Sequence, residues 1–312
     1  MPQMPEPPLT FRLLYRSPIL RVRDYTCRAC RGGPAAEEYS DENSIVLLRH
    51  GAFCKHFGRR TATADVNQAV FFSSGSTYRV SHPADCGDRG TTFVVSSRVL
   101  TDIVRELDPA VDDRPDRPFP FTTGPCDTST FWRHRALVQR LESAPSDPLE
   151  PIWADVTALQ LVADILEAAY RRHARPRQRR RCGTDDDQAE RVEAAKTYLA
   201  SRLGERITLE EVACAVHLSP FHFARVFQAR TGAPVHRYLT RLRLRAALDR
   251  LMEGADDLTA LALELGFSSH SHFTDAFRAE FGRAPSRVRR SALRELSKNL
   301  EVQFPSKRDH GI

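Results

Sequence analysis

Apolar and polar positions change rhythm along the chain. From Ile19 to Ser96 the pattern is one of short runs rich in Val, Phe and Tyr: SIVLLRH (Ser44–His50), AVFFSS (Ala69–Ser74), YRVS (Tyr78–Ser81) and TTFVVSS (Thr91–Ser97). Gly, Pro, Asn and Asp separate them at intervals of roughly 8–12 residues, the spacing of a β-sandwich or barrel. Ser96 or Ser97 then offers an N-cap, and SRVLTDIVREL reads as a helix. A loop full of Pro and Asp runs from Asp108 to Pro120. Two amphipathic helices are predicted next, over about Thr130–Ser143 and about Pro151–Arg172. In the second, Ile152, Val156, Leu159, Val162 or Ala163, and Leu166 recur at helical spacing. That stripe serves two ends equally well, covering the β domain or pairing two chains.

A boundary follows. Arg171–Gln188 carries a block of arginines, then a block of aspartates, and almost no apolar residue. It lacks the apolar surface that ordering requires and is expected to be a linker, whose arginines are either solvated or in contact with phosphates. Beyond it, about Gln188–Arg290 reads as nearly all helix. The expected domains are a disordered lead-in over 1–18, a β-rich unit over 19–172, a linker over 173–187, a helical domain over 188–292 and a flexible tail over 293–312. The fold class is therefore α+β, with a β-barrel or sandwich and its helices ahead of an all-α domain.

The helical zone repeats itself. VACAVHLSPFHFARVFQARTGAP, starting at Val212, answers to LALELGFSSHSHFTDAFRAEFGRAP, starting at Leu261, with a period of about fifty residues. Ala213 matches Ala262, Val216 matches Leu265, Leu218 matches Phe267, Phe223 matches Phe273, Phe227 matches Phe277 and Gly232 matches Gly282. Two copies are too few for a solenoid, so this is a duplicated small unit. Each reads as helix, tight turn, helix. In the first, Thr208 and Glu211 form a capping box, and Ser219 caps the second helix with Pro220 at its first position. Phe223, Val226 and Phe227 make the buried stripe, and Gly232 ends the helix. Gly266 supplies the turn of the second unit. Such a pair of helices is a helix-turn-helix, whose second helix enters the major groove. Phe223, Phe227, Phe273, Phe277 and Phe281 are read as core by their spacing. His270 and His272, two apart on a helix, do not face one metal site.

Between the units, Pro234–Gly254 is read as a long amphipathic helix that holds them at fixed separation. Arg237, Arg241, Arg243 and Arg245 make it positive, and from Ser219 to Arg250 the only acid is Asp249. That asymmetry suits phosphate contact. The segment from about 188 to 290 resembles the DNA-binding domain of AraC/XylS-type bacterial transcription regulators. The resemblance rests on Gly266–Arg290 and Ser219–Gly232 and covers about a third of the chain. It implies a seven-helix domain that sets two recognition helices in successive major-groove segments of double-stranded DNA. Carried over by position, the first would present Phe221, His222, Ala224 and Arg225, and the second His270, Ser271, His272, Thr274 and Asp275. Arg225 can be bidentate to a guanine edge. Ser219 and Ser269 at the helix starts suit phosphate positioning, and Arg241 belongs with them. Relatives often carry a basic residue where Asp275 stands; a carboxylate there either accepts from cytosine N4 or weakens binding by the second unit. The resemblance also implies RNA polymerase as a partner.

The chain has 312 residues, 28% of them charged, a net charge of +6 and 41% hydrophobic residues. Nearly all the positive charge is arginine; the lysines are Lys55, Lys196, Lys298 and Lys307. Arginine bias along the whole chain makes net charge weak testimony for a nucleic-acid partner. No run of 18 apolar residues and no signal peptide is read, so a membrane is excluded and a cytoplasmic location expected. Seven scattered cysteines, Cys27, Cys30, Cys54, Cys86, Cys126, Cys182 and Cys214, fit a reducing compartment better than a disulfide framework. Nucleophile-elbow, P-loop and Rossmann glycine patterns do not occur, and no enzyme activity is assigned.

In AraC/XylS-type regulators the other domain is often a small cupin-type sensor barrel, and Phe71–Pro83 looks like part of one. Tyr78, Arg79 and His82 are the candidates for an effector pocket, with a small-molecule effector and a homodimer as possible partners. Cys27-x-x-Cys30 and Cys54-x-His56 have ligand-like spacing and keep a cysteine-based redox or metal-responsive regulator as the alternative. Without a matching second pair or an HxH cluster, no metal site or cofactor is assigned, and a cupin-type metalloenzyme ranks last.

Overall fold

The computed structural model describes residues 9–29, 31–84, 87–143, 151–174, 182–253, 255 and 257–288. Among the described residues, ten strands form two antiparallel sheets. The larger runs in the order β1 (Leu9–Arg16), β2 (Leu20–Cys27), β9 (Asp88–Val95), β4 (Ser44–His50), β7 (Gln68–Phe72) and β10 (Thr123–Pro125). The smaller is β3 (Glu38–Tyr39), β8 (Thr77–Ser81), β5 (Ala52–Phe57) and β6 (Arg60–Asp65). In β4 the five residues Ile45 to Arg49 are all buried, so the large sheet is covered on both faces at its centre. Helices α1 (Ser97–Arg105), α2 (Thr128–Ser143) and α3 (Pro151–His173) complete this domain. Ser96 is the N-cap of α1 by position, without a side-chain cap hydrogen bond.

Three expectations need correction. The lead-in over 1–18 is not all disordered: β1 starts at Leu9, just after the last proline of the opening stretch. Its alternation gives it a partner, with Phe11 opposite Tyr25 and Arg12 opposite Asp24. The Phe11 and Tyr25 rings lie 6.3 Å apart, and Arg12 ion-pairs with Asp24 and Glu142. Residues 1–8 lie outside the described residues. The linker over 173–187 is shorter than expected, because α3 runs to His173 and α4 (Cys182–Ala200) starts at Cys182. The run Asp185–Asp187 then falls in the first two turns of α4, where the helix dipole favours acids. Residues 175–181, and the tail expected over 293–312, lie outside the described residues.

The third correction concerns the helix between the repeats. α7 (Val235–Met252) is not amphipathic: Tyr238, Leu239, Leu242, Leu244, Arg245, Ala247, Leu248 and Leu251, among others, are buried. Arg241, Arg243 and Arg245 face protein, whereas Arg237 is exposed. Arg245 is among the largest fully buried side chains; it donates to the carbonyls of Val66 and Cys126 and lies 4.7 Å from the Phe131 ring centroid. Arg243 donates to the carbonyls of Leu203, Glu205 and Gly266. Asp249, the one acid, is buried between Arg89 and Arg135, 3.0 Å from each. The helix is a shared core element of both domains.

The stripe on α3 divides. Val162 and Leu166 are buried, whereas Ile152 and Val156 are exposed. Among the described residues no helix is long and apolar enough to cross a membrane.

Candidate nucleic-acid interface

The two repeat units fold as paired helices: α5 (Leu209–Ala215) with α6 (Pro220–Thr231), and α8 (Leu258–Glu264) with α9 (His270–Phe281). Local chemistry sets each boundary. The Thr208 side chain accepts from the Glu211 amide while Glu211 accepts from the Thr208 amide, a complete capping box. Asp257 caps α8 by accepting from Thr259 and Ala260. Ser219 accepts from the His222 amide at 3.4 Å, and Ser269 accepts from the His272 amide at 3.1 Å. Both second helices end in a left-handed glycine, Gly232 at φ 80° and Gly282 at φ 70°. In the turns, Gly266 has φ 76° and its counterpart His217 has φ 54°.

Arginines hold both turns. Arg191 of α4 donates to the carbonyls of Val216 and His217, and Arg243 of α7 to that of Gly266. Inside, Phe223 and Phe227 meet edge to face with centroids 5.5 Å apart, and Phe273 and Phe277 at 5.7 Å. These four rings are buried. Phe281 is only half-buried and stacks 5.5 Å from Trp132 of α2. That stacking reaches from α9 to the β-rich domain.

With those faces used, the starts of α6 and α9 are left bare. Phe221 is 80% exposed, an unusual state for a phenylalanine. Ser219 and Arg225 are exposed beside it, and His222 and Ala224 are half-buried. Among the described residues no carboxylate pairs with Arg225. On α9, Ser269, His270, Ser271, His272 and Asp275 are exposed and Thr274 is half-buried. His272 is held by Ser268, 3.1 Å from its Nδ1, and by the Phe267 ring 5.5 Å away. Asp275 has a side chain 76% exposed, with Arg278 at 3.9 Å. Arg241 stands apart from this surface. Its Nε donates to Glu280 at 3.1 Å, and Glu280 also accepts from Thr128 of the β-rich domain. The packing of α7 explains the displacement: Arg241, Arg243 and Arg245 serve carbonyls and a carboxylate of the protein.

A family model described as a helix-turn-helix domain matches residues 212–291, which span both units. The transcriptional activator RhaS of Enterobacter is 24% identical over 255 residues, 81% of this chain and 87% of its own. Residues 212–291 thus match a helix-turn-helix domain of the AraC type, and the relatives named are transcription regulators. RhaS of Escherichia fergusonii is 28% identical over 165 residues, 52% of this chain and 55% of its own. An uncharacterised regulator of Bacillus subtilis, YobQ, is 35% identical over 100 residues, 32% of this chain and 41% of its own. The chain thus spans about half the length of these last two relatives. Apo ToxT of Vibrio cholerae aligns with 87% of this chain and 97% of its own at 11% identity and a TM-score of 0.39, too loose a superposition to carry an argument.

The β-rich domain does not gather the expected pocket residues. Tyr78 packs edge-on against Phe72 at 4.9 Å, Arg79 is exposed on the opposite face of β8, and His82 lies past the strand end. One open depression, about 740 Å³ between Arg16, Leu20, Glu42 and Ser96, includes none of the three. Cys54 faces Thr197 and His56 sits between Thr61 and Ser81, so their spacing yields no common ligand point. His82 instead meets Cys27 and Asp88. The Asp88 carboxylate beside it, and then the Cys27 sulfur, push its imidazole up to about 10. Asp88 was not singled out in the sequence; its signal was the strand start two residues after Cys86. Cys30 and Cys86 lie outside the described residues.

Proposed function

We propose that this chain is a sequence-specific, DNA-binding transcription regulator that reads double-stranded DNA with α6 and α9. The observation that carries the reading is the pair of N-capped helices whose inner faces are buried and whose outer faces expose Phe221 and Arg225 on α6 and His270, Ser271, His272 and Asp275 on α9. The positive ends of the helix dipoles at those starts suit phosphates. Arg225 has the geometry and freedom for a guanine edge. Arg241 is released from that role by Glu280.

The β-rich domain acts on this reader through α7, by an effector or by homodimerisation. The exposed Phe11 and Leu13 of β1, with Ile152 and Val156 of α3, support a contact between two copies. RNA polymerase is the further partner expected of such a regulator. No catalytic step is required of the molecule. The test is selection of genomic fragments with the full chain at near-physiological salt, followed by footprinting. Two protected major-groove segments about 10 bp apart are expected. Protection without sequence preference, lost at modest salt, would refute the reading.

A further inference from the structure

We propose that Cys27, His82 and Asp88 form a binding site for one divalent transition-metal ion of the zinc type. Three separate segments deliver the donors. Cys27 ends β2 and Asp88 begins β9, and the two are direct partners in the antiparallel register, so their side chains neighbour each other on one face. His82 comes from the other sheet, just past β8, where its carbonyl accepts from the Gly32 amide at 3.2 Å. Gly87, at φ 65°, lets this connection press onto β2: a Cβ there would come within 2.2 Å of the Cys27 carbonyl oxygen. The site therefore pins the two sheets together.

The geometry is convergent. Cys27 Sγ lies 3.3 Å from His82 Nε2, and Asp88 Oδ2 lies 3.0 Å from the same nitrogen. All three ligand atoms fall within 4.8 Å of one another. A Cys–His–Asp relay would place thiol and carboxylate on different ring nitrogens. Here both face one nitrogen, which makes a point of shared donors and not a nucleophile with its base. Tetrahedral zinc, with Zn–S about 2.3 Å and Zn–N about 2.0 Å, separates thiolate and imidazole donors by about 3.5 Å. The observed cage is slightly tighter and needs only side-chain adjustment to take the ion.

A second observation points the same way. Asp88 is 2% exposed, and its Oδ2 has no partner with hydrogen-bond geometry despite the nearby imidazole. The His82 imidazole stands as the counter-charge of that buried carboxylate, a place that a metal ion would take over. Tyr25, buried over Gly90, brings its phenol beside the same carboxylate. The His82 side chain is 13% exposed and Cys27 is half-buried, so the three donors are not sealed from solvent. Thiolate with imidazole selects zinc, cobalt or related ions over magnesium and calcium. The next residue of β9, Arg89, is bound to Asp249 of α7 and to Glu253 at its C-cap, so the site stands one residue from the contact between domains.

The experiment is cobalt titration of the full chain, purified under reducing conditions and stripped with chelator. One equivalent of Co2+ is expected, with a thiolate-to-cobalt charge-transfer band that zinc bleaches. Cys27→Ser should abolish the band, and His82→Gln and Asp88→Asn should each weaken cobalt binding by at least roughly tenfold. Far-UV circular dichroism of the stripped variants checks their fold. Peptide-resolved alkylation of the wild-type chain needs no variant: zinc should shield Cys27. Absence of the band in the wild-type chain, equal alkylation of Cys27 with and without zinc, or a band that survives Cys27→Ser and disappears in Cys30→Ser or Cys86→Ser would each overturn the assignment. None of these readouts involves DNA.

Discussion

His217 holds a left-handed backbone, φ 54°, in the turn where the second unit uses Gly266. A residue with a Cβ loses roughly 1–2 kcal/mol there. Its carbonyl is held by Arg191, so the turn keeps the shape in spite of the strain. His217→Gly is expected to raise stability by up to about 1 kcal/mol, read as a higher denaturant midpoint; an unchanged midpoint would mean that the imidazole contributes contacts of equal size. Arg225 gives the functional counterpart. Arg225→Ala should weaken a cognate site by about 1–3 kcal/mol and relax preference at one base pair. An equal loss on all sequences would make it a phosphate contact instead. At this scale the caps and turns were legible, because Thr208, Glu211, Ser219, Gly232 and Gly282 act through local backbone chemistry. The left-handed histidine was not legible, since nothing local demands it. The meeting of Cys27, His82 and Asp88 depends on strand register and was out of reach for the same reason.

Elements carry a different lesson. α2 buries His134 among Phe131, 6.5 Å away, and Phe93 of β9, 5.9 Å away, with neither ring nitrogen hydrogen-bonded. Burial, and secondarily the charges of Arg135 and Arg49, hold its imidazole well below the usual range. The sign follows. Above about pH 6.5 both folded and unfolded states leave it neutral; below that, only the unfolded chain takes the proton. Stability contributed by the neutral ring is therefore lost as pH falls, by at most about 1.4 kcal/mol per pH unit. Denaturant unfolding at pH 7 and pH 5.5 should show the loss, and His134→Leu should flatten it. A slope unchanged in that variant would place its source elsewhere. α2 and α3 were legible to within two residues, because their stripes are long. α7 was legible as a helix but not as a buried one. Its arginines look like a charged face until Val66, Cys126 and Leu203 supply the carbonyls that they serve.

At the scale of the whole molecule, the charged boundary at 171–188 suggested two units joined by a loose tether, yet the contacts run otherwise. Tyr238 donates to Asp65 at 2.6 Å, Asn67 donates to the Tyr238 carbonyl at 3.2 Å, and Thr63 of β6 donates through its amide to the Glu193 carboxylate and through its hydroxyl to the Glu193 carbonyl on α4. Arg245 and Asp249 add buried bonds from one helix to β-rich partners. Pairings between residues more than a hundred positions apart leave no periodicity to read, which is why they escaped the sequence. Because α7 lies in both cores, neither domain keeps its packing when the other unfolds. The full chain is expected to melt in one calorimetric transition, with van't Hoff and calorimetric enthalpies in agreement. Arg245→Ala leaves two buried carbonyls unpaired at about 1–3 kcal/mol each, and that loss falls on the contact between domains. The variant should separate the melt into two transitions. A single transition merely shifted downward would mean that the Tyr238–Asp65 and Asp249 contacts suffice to keep the domains coupled, whereas two transitions already in the wild-type chain would mean that docking through α7 is weaker than the entropy it must offset. In the first case the β-rich domain has a rigid route to the recognition helices, through α7 to Gly266 and through Trp132 to Phe281, and any ligand that shifts β9 acts on both.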